Sequence, residues 1–240
     1  MEKRIYTDKQ EVAEHFARYF ASLAQDSAVV HVALSGGSTP KVVFDFMAEQ
    51  FGTVIDWTKV RFYWGDERCV PPDHVESNYK MTMDHLLSKV AVSSTQVFRI
   101  KGERDPEEEA KAYGALLDTE LPKANGIPQF DLVILGMGDD GHTASIFPHE
   151  IGLWHADENC KVAVHPDSGQ RRITINGKII NNAKNVAFLV TGSSKSEKVR
   201  EIMHREAGFE AYPAALVSPE SGNLLWFLDQ DAAQGISAST

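Results

Sequence analysis

Short apolar runs alternate along the chain with longer segments in which apolar residues recur every three or four positions. The runs "AVVHVALSGG" (28–37), "KVRFYWGDE" (59–67), "FDLVILGMG" (130–138), "KVAVHP" (161–166), "NVAFLVTG" (185–192) and "LLWFLD" (224–229) read as strands. A nearly continuous apolar run is the pattern of a strand buried on both faces of a parallel sheet. Helical spacing covers residues 40–51, 78–90, 106–120 and 194–206 between them. After the opening residues, Val12, Phe16, Tyr19 and Leu23 mark an amphipathic helix, and Thr7 with Gln10 has capping-box spacing ahead of it. Strands alternating with helices predict an α/β fold with a mostly parallel sheet flanked by helices. No low-complexity linker or fixed-period repeat breaks the pattern, so residues 1–240 read as a single domain.

In such folds ligands bind where loops gather, at the carboxyl ends of the strands. Four turns there draw the search: "SGGSTP" (35–40), "WGDER" (64–68), "GMGDDGHT" (136–143) and "TGSSK" (191–195). Gly136, Gly138 and Gly141 match the G-x-G-x-x-G spacing of dinucleotide-binding turns, which need a helix opening at the third glycine. Pro148 lies too close for more than about two helical turns, and the motif sits in mid-chain. The glycines instead suit a backbone that presents Asp140 and His142 at the end of a buried strand.

In the first turn, Gly36 and Gly37 permit tight geometry, Ser38 or Thr39 can cap a helix, and Pro40 suits its first position. The free N–H groups of such a turn form a phosphate cradle, with a plain helix cap as the ordinary alternative. It lacks the spacing of a nucleotide P-loop, which favours a monophosphate on a small molecule over ATP. Lys195 falls in the first turn of a helix, where a cation opposes the helix dipole and a bound anion would explain it. In "QRRITING" an extended chain puts Arg172, Thr174 and Asn176 on one face and Arg171 with two isoleucines on the other. Arg172 is therefore the better ligand candidate. Asp66, Glu67 and Arg68 follow a strand directly, ahead of a Pro-Pro turn and the polar Ser77, Asn78 and Tyr79. A solvated loop with an acidic pair is the ordinary reading of that stretch.

Composition narrows the partners. With 42% hydrophobic and 24% charged residues among 240, no segment before the last few residues reads as disordered. A net charge of −10 disfavours nucleic acid, whose backbone calls for a basic surface. The charged N-terminus lacks a signal-peptide run and no apolar run reaches membrane-span length, so a cytoplasmic protein without a membrane partner is expected. Cys69 and Cys160 are isolated, giving neither zinc-ligand spacing nor a disulfide framework.

Taken in order, "LSGGSTP", "WGDER…ESNY", "GMGDDGHTASIFP", "RRIT" and "TGSSK" resemble the 6-phosphogluconolactonase family, and more broadly its superfamily with glucosamine-6-phosphate deaminases. The match spans residues 34–195. The resemblance implies a modified Rossmann-like fold without a dinucleotide. It implies hydrolysis of 6-phospho-D-glucono-1,5-lactone in the oxidative pentose phosphate pathway, with no metal and no organic cofactor. It further implies His142 as general base, Asp140 as its neighbour, and Asp66, Arg68 and Asn78 in the pocket. The phosphate would be held by the backbone of Gly36, Gly37, Ser38 and Thr39, with Arg172 and Lys195. One departure is Arg171, where the family often has glutamate; it offers a competing cation.

The chemistry agrees, because lactone hydrolysis needs a water deprotonated as it attacks. Histidine, with an unperturbed pKa of about 6.5, can accept that proton and return it to the departing ring oxygen. Asp66 or Asp140 would orient the ring, and backbone amides of a glycine-rich turn or Arg68 would serve the oxyanion. The remaining histidines lack this setting. Two rivals share the scaffold. The deaminase branch typically reads Asp-Gly-His-Ile-Ala-Phe-Asn-Glu-Pro, whereas "DGHTASIFP" has no Asn-Glu pair. A non-catalytic sugar-phosphate sensor is the other, and here no DNA-binding segment is expected ahead of the domain.

Overall fold

The computed structural model describes residues 1–236; residues 237–240 lie outside the described residues, as does the sequence reading of the last few positions. From the N-terminus the elements are β1 (Glu2–Tyr6), α1 (Lys9–Asp26), β2 (Val30–Leu34), α2 (Ser38–Phe51), β3 (Val60–Trp64), β4 (Asp66–Arg68) and α3 (Asn78–Thr82). They continue through α4 (Pro106–Glu120), a two-residue hairpin of β5 (Lys123–Ala124) and β6 (Ile127–Pro128), β7 (Leu132–Leu135) and β8 (Cys160–Val164). Last come β9 (Arg171–Ile175), α5 (Gly177–Asn181), β10 (Val186–Val190), α6 (Ser196–His204) and β11 (Leu224–Asp229).

Six strands form one parallel sheet in the order β1-β11-β10-β7-β2-β3. Its inner strands are buried along their whole length at β7, β10 and β11, as their unbroken apolar runs require. The flanking helix α1 buries Val12, Phe16 and Phe20 against this sheet and α2. Its cap is Asp8, one residue later than the Thr7 expected from spacing. The Asp8 carboxylate accepts from the N–H groups of Gln10 and Glu11, while Glu11 reaches back to the Thr7 N–H. A carboxylate at this position also favours the helix dipole.

β4, β9 and β8 form a second, antiparallel sheet. The expected single strand 59–67 thus divides at Gly65, whose N–H donates to Leu34 of the parallel sheet while its carbonyl accepts from Ile175 of the antiparallel one. The chain changes sheets at one residue. The run 161–166 likewise belongs to the antiparallel sheet as β8. The helix expected over 78–90 is two pieces, α3 and a turn of π-helix at Met83–Leu87.

Phe227 anchors the packing of α1 on the sheet. It is fully buried, with the Phe16 ring edge-on at 5.4 Å and the Tyr19 ring at 5.8 Å. Phe227→Ala is expected to cost about 3–5 kcal/mol by lost burial and cavity formation, read by urea unfolding. A loss under about 1 kcal/mol would mean that α1 is not anchored there.

Candidate active site

β7 ends where the glycine turn begins, and no helix opens at Gly141. Gly141 has φ +82°, the Gly138 N–H donates to the His142 carbonyl, and the Thr143 hydroxyl closes on the Gly136 carbonyl at 2.8 Å. The next helical segment is a 3₁₀ stretch at Pro148–His155. This turn folds Asp140 back onto His142. One carboxylate oxygen accepts from the His142 backbone N–H at 3.0 Å and lies 2.6 Å from its ring Nδ1. A carboxylate accepts only, so Nδ1 carries the proton and Nε2 of the neutral ring is left with a lone pair. Partial burial pushes the Asp140 carboxyl up, but the hydrogen bond to His142, its charge and the backbone N–H outweigh this and bring it down to about 2. Of the two aspartates left open by the sequence, Asp140 is the one on the ring.

The imidazole rests on Phe147, 4.7 Å between ring centroids, and the Arg172 guanidinium lies over the same ring at 5.6 Å. Phe147 thus sets the spacing between histidine and arginine. Arg172 is placed by the register of β9, opposite Arg68 of β4. Burial, and then the charge of Arg68, lower its guanidinium below the ordinary arginine value. Arg171 points elsewhere and pairs with Glu107 at 2.8 Å, so it does not compete at the site.

Across from His142 stands the start of α2. Gly37, at φ +112°, is the N-cap and gives no side-chain cap. Ser38 and Thr39 are therefore the first two helical residues and Pro40 the third, not a cap followed by a first-position proline. The Thr39 hydroxyl instead bonds the Thr191 hydroxyl at 2.7 Å, tying α2 to the end of β10. Pro40 remains compatible because the N–H groups of a first turn have no helical partner.

The acidic pair is not solvated. Asp66 is 6% and Glu67 2% exposed. Asp66 accepts from the Ser145 hydroxyl at 2.6 Å, and Asn78 donates its amide to the Asp66 carbonyl at 3.0 Å. Ser145 follows Ala144, a non-glycine residue at φ +49°, so the turn beyond His142 is held in a conformation that carries strain. Lys195 is the N-cap residue of α6, where its ammonium meets Asp139 at 2.5 Å.

The candidates Gly36, Gly37, Ser38, Thr39, Asp66, Arg68, Asn78, His142, Arg172 and Lys195 all line one cleft of about 210 Å³ at the carboxyl edge of the parallel sheet. Asp140 stands behind His142, outside this lining. Sequence reasoning gave no part to Ser145 or Asp139, whose partners Asp66 and Lys195 lie far along the chain, or to Phe147, which joins nearby His142 to distant Arg172. It also set aside His149 and His165, yet both rings reach Phe147, at 5.8 and 5.3 Å. Among the described residues no group of three His, Cys, Asp or Glu side chains gathers as a metal site, and no helix is long and apolar enough to cross a membrane.

A carboxylate-backed histidine shares this cleft with a helix N-terminus and the cations Arg68, Arg172 and Lys195, an arrangement chemically suited to a small anion. The chain belongs to the family of glucosamine-6-phosphate isomerases and 6-phosphogluconolactonases, whose sequence profile matches residues 7–226. It is 43% identical over 202 residues to the 6-phosphogluconolactonase of Treponema pallidum, covering 84% of each chain. With the 6-phosphogluconolactonase of Haemophilus influenzae it shares 40% over 227 residues, 94% of this chain and 95% of that one. The solved 6-phosphogluconolactonase of Trypanosoma brucei superposes with a TM-score of 0.86 at 29% identity, covering 98% of both.

The Asp140 carboxyl offers a direct check. Its folded value lies below the ordinary 3.8, so the pairing stabilises the fold above about pH 4, and that contribution is lost as pH falls through about 2. In His142→Ala the carboxyl loses this partner, and carbon-13 NMR should find its titration moved up toward the ordinary range. An unmoved midpoint would mean that His142 does not set it.

Proposed function

We propose that the protein hydrolyses 6-phospho-D-glucono-1,5-lactone to 6-phospho-D-gluconate in the oxidative pentose phosphate pathway, with His142 as general base. The observation that carries this reading is the 2.6 Å contact of Asp140 with Nδ1, which leaves Nε2 unprotonated on a ring that lines the cleft. A water attacks the lactone carbonyl carbon as Nε2 takes its proton. The tetrahedral intermediate then expels the ring oxygen, which receives that proton from the imidazolium and becomes the C5 hydroxyl. Asp140 stays ionised throughout and stabilises the imidazolium.

The backbone of residues 36–39, Arg172 and Lys195 serve as the phosphate handle, since a helix N-terminus and two cations suit a dianion. Arg68 is the candidate for the oxyanion, because it lines the cleft and its buried Nε has no protein partner. Asp66, bonded to Ser145 and near the Asn78 amide, organises the wall and is not the base. Against the deaminase rival stands Phe147, a fully buried phenyl at the position of the glutamate in that branch's motif. No acid is available there for proton transfer during ring opening.

Purified protein mixed with freshly generated lactone should release acid well above the spontaneous background, and glucosamine 6-phosphate should give no ammonia. Folded His142→Ala should lose about 10²–10⁴-fold in turnover while still binding product; near-wild-type turnover would move the base elsewhere. Lys195→Ala should lower kcat/KM on the phosphorylated lactone by roughly ten- to a hundredfold, the worth of one charge-assisted contact. Equal hydrolysis of gluconolactone without phosphate would refute the handle.

A further inference from the structure

Glu67 is the acid at this site with no part in the chemistry above, and it is 2% exposed. One of its oxygens accepts from the N–H groups of Arg68 at 2.8 Å and Asn78 at 2.7 Å. The other accepts from the Tyr79 N–H at 2.8 Å and the Ser77 hydroxyl at 3.0 Å. A carboxylate offers about four acceptor sites, and all four are taken. The group therefore closes the loop running from β4 to α3 on itself.

Two cleft residues hang on that closure. Arg68 donates Nη1 to the carbonyl of Glu76, the residue just before the gathered segment, at 2.6 Å. Its guanidinium thus rests on the loop that Glu67 holds, while the buried Nε keeps no protein partner. Asn78 fills the space above Gly36 so closely that a Cβ there would come within 1.8 Å of its side-chain oxygen. The carboxylate thereby fixes the arginine on one wall and the asparagine against the cradle on another.

We propose that Glu67 is a positioning residue for substrate binding that acts through Arg68 and Asn78. This rests on the reading of the cleft as the lactone site. The His142–Asp140 pair sits on a separate turn after β7, so the base stays in place while the hold on the substrate and the oxyanion contact of Arg68 loosen. A role confined to stability would instead lower the melting temperature and leave the KM of the folded enzyme unchanged.

Glu67→Gln keeps the shape but turns an amide N–H₂ toward a backbone N–H that needs an acceptor. Steady-state kinetics on the phosphorylated lactone should show kcat/KM lowered roughly tenfold or more with KM raised severalfold, and kcat falls as well to the extent that Arg68 leaves the oxyanion. Titration of 6-phosphogluconate should show product affinity weakened in parallel. Glu67→Asp, which retains the charge and its acceptors one methylene shorter, should recover part of the affinity, and it carries the same test if Glu67→Gln does not fold. Unchanged KM and product affinity in a folded variant would overturn the proposal, as would a loss confined to kcat. Wild-type protein in the same assay separates the two ideas. Absent wild-type turnover removes the lactonase reading, whereas normal wild-type turnover with an unaltered variant KM removes only the role of Glu67.

Discussion

Nδ1 of His142 meets the Asp140 carboxylate because position 138 has no side chain. A Cβ on Gly138 would lie 2.1 Å from that nitrogen and 2.6 Å from the carboxylate oxygen. Gly141 supplies the second condition, since its positive φ turns the chain back, and a Cβ there would strike the Tyr212 ring at 2.7 Å. Glycines spaced like a dinucleotide fingerprint thus make room for a protein side chain where a nucleotide fold makes room for pyrophosphate. The state of the histidine pair follows from this contact: a proton on Nδ1, a lone pair left on Nε2, and the carboxyl held near 2 so that it remains anionic beside the imidazole.

The second organising constraint is the change of sheet at Gly65. The parallel sheet brings the loops after β2, β7 and β10 to one edge, which supplies the cradle, the histidine and Lys195. The antiparallel sheet β4-β9-β8 covers that edge and supplies Arg68 and Arg172 as a cross-strand pair. Like charges facing each other across two strands are unfavourable on their own. An anionic substrate offsets that repulsion, so the wall favours binding of a phosphate or an oxyanion.

Much of the site was legible because its residues cluster in short motifs after apolar runs, and strand ends in α/β sheets converge. The misreadings have physical causes. β1, "EKRIY", carries charges where an apolar run would announce a strand, as suits an edge strand paired on one side only. The division of 59–67 was foreshadowed by Gly65, since a glycine inside a strand pattern often marks a break. The caps shifted by one residue because spacing cannot tell Thr7 from Asp8, or a glycine N-cap from the serine after it. Hidden altogether were the contacts between distant positions: Ser145 with Asp66, Asp139 with Lys195, and Phe147 between His142 and Arg172. Glu67 looked like half of a solvated acidic pair, and only the return of the chain at Ser77–Tyr79 makes it a buried hub.

The central claim is that Asp140 fixes the tautomer of His142 so that Nε2 is free to take a proton. Nitrogen-15 NMR of the imidazole, at a pH where the ring is neutral, reads this directly. The account predicts a protonated Nδ1 and a bare Nε2 in the wild type, with that preference reduced or lost in Asp140→Asn. A proton found on Nε2 of the wild-type ring, or a tautomer indifferent to the aspartate, would contradict it.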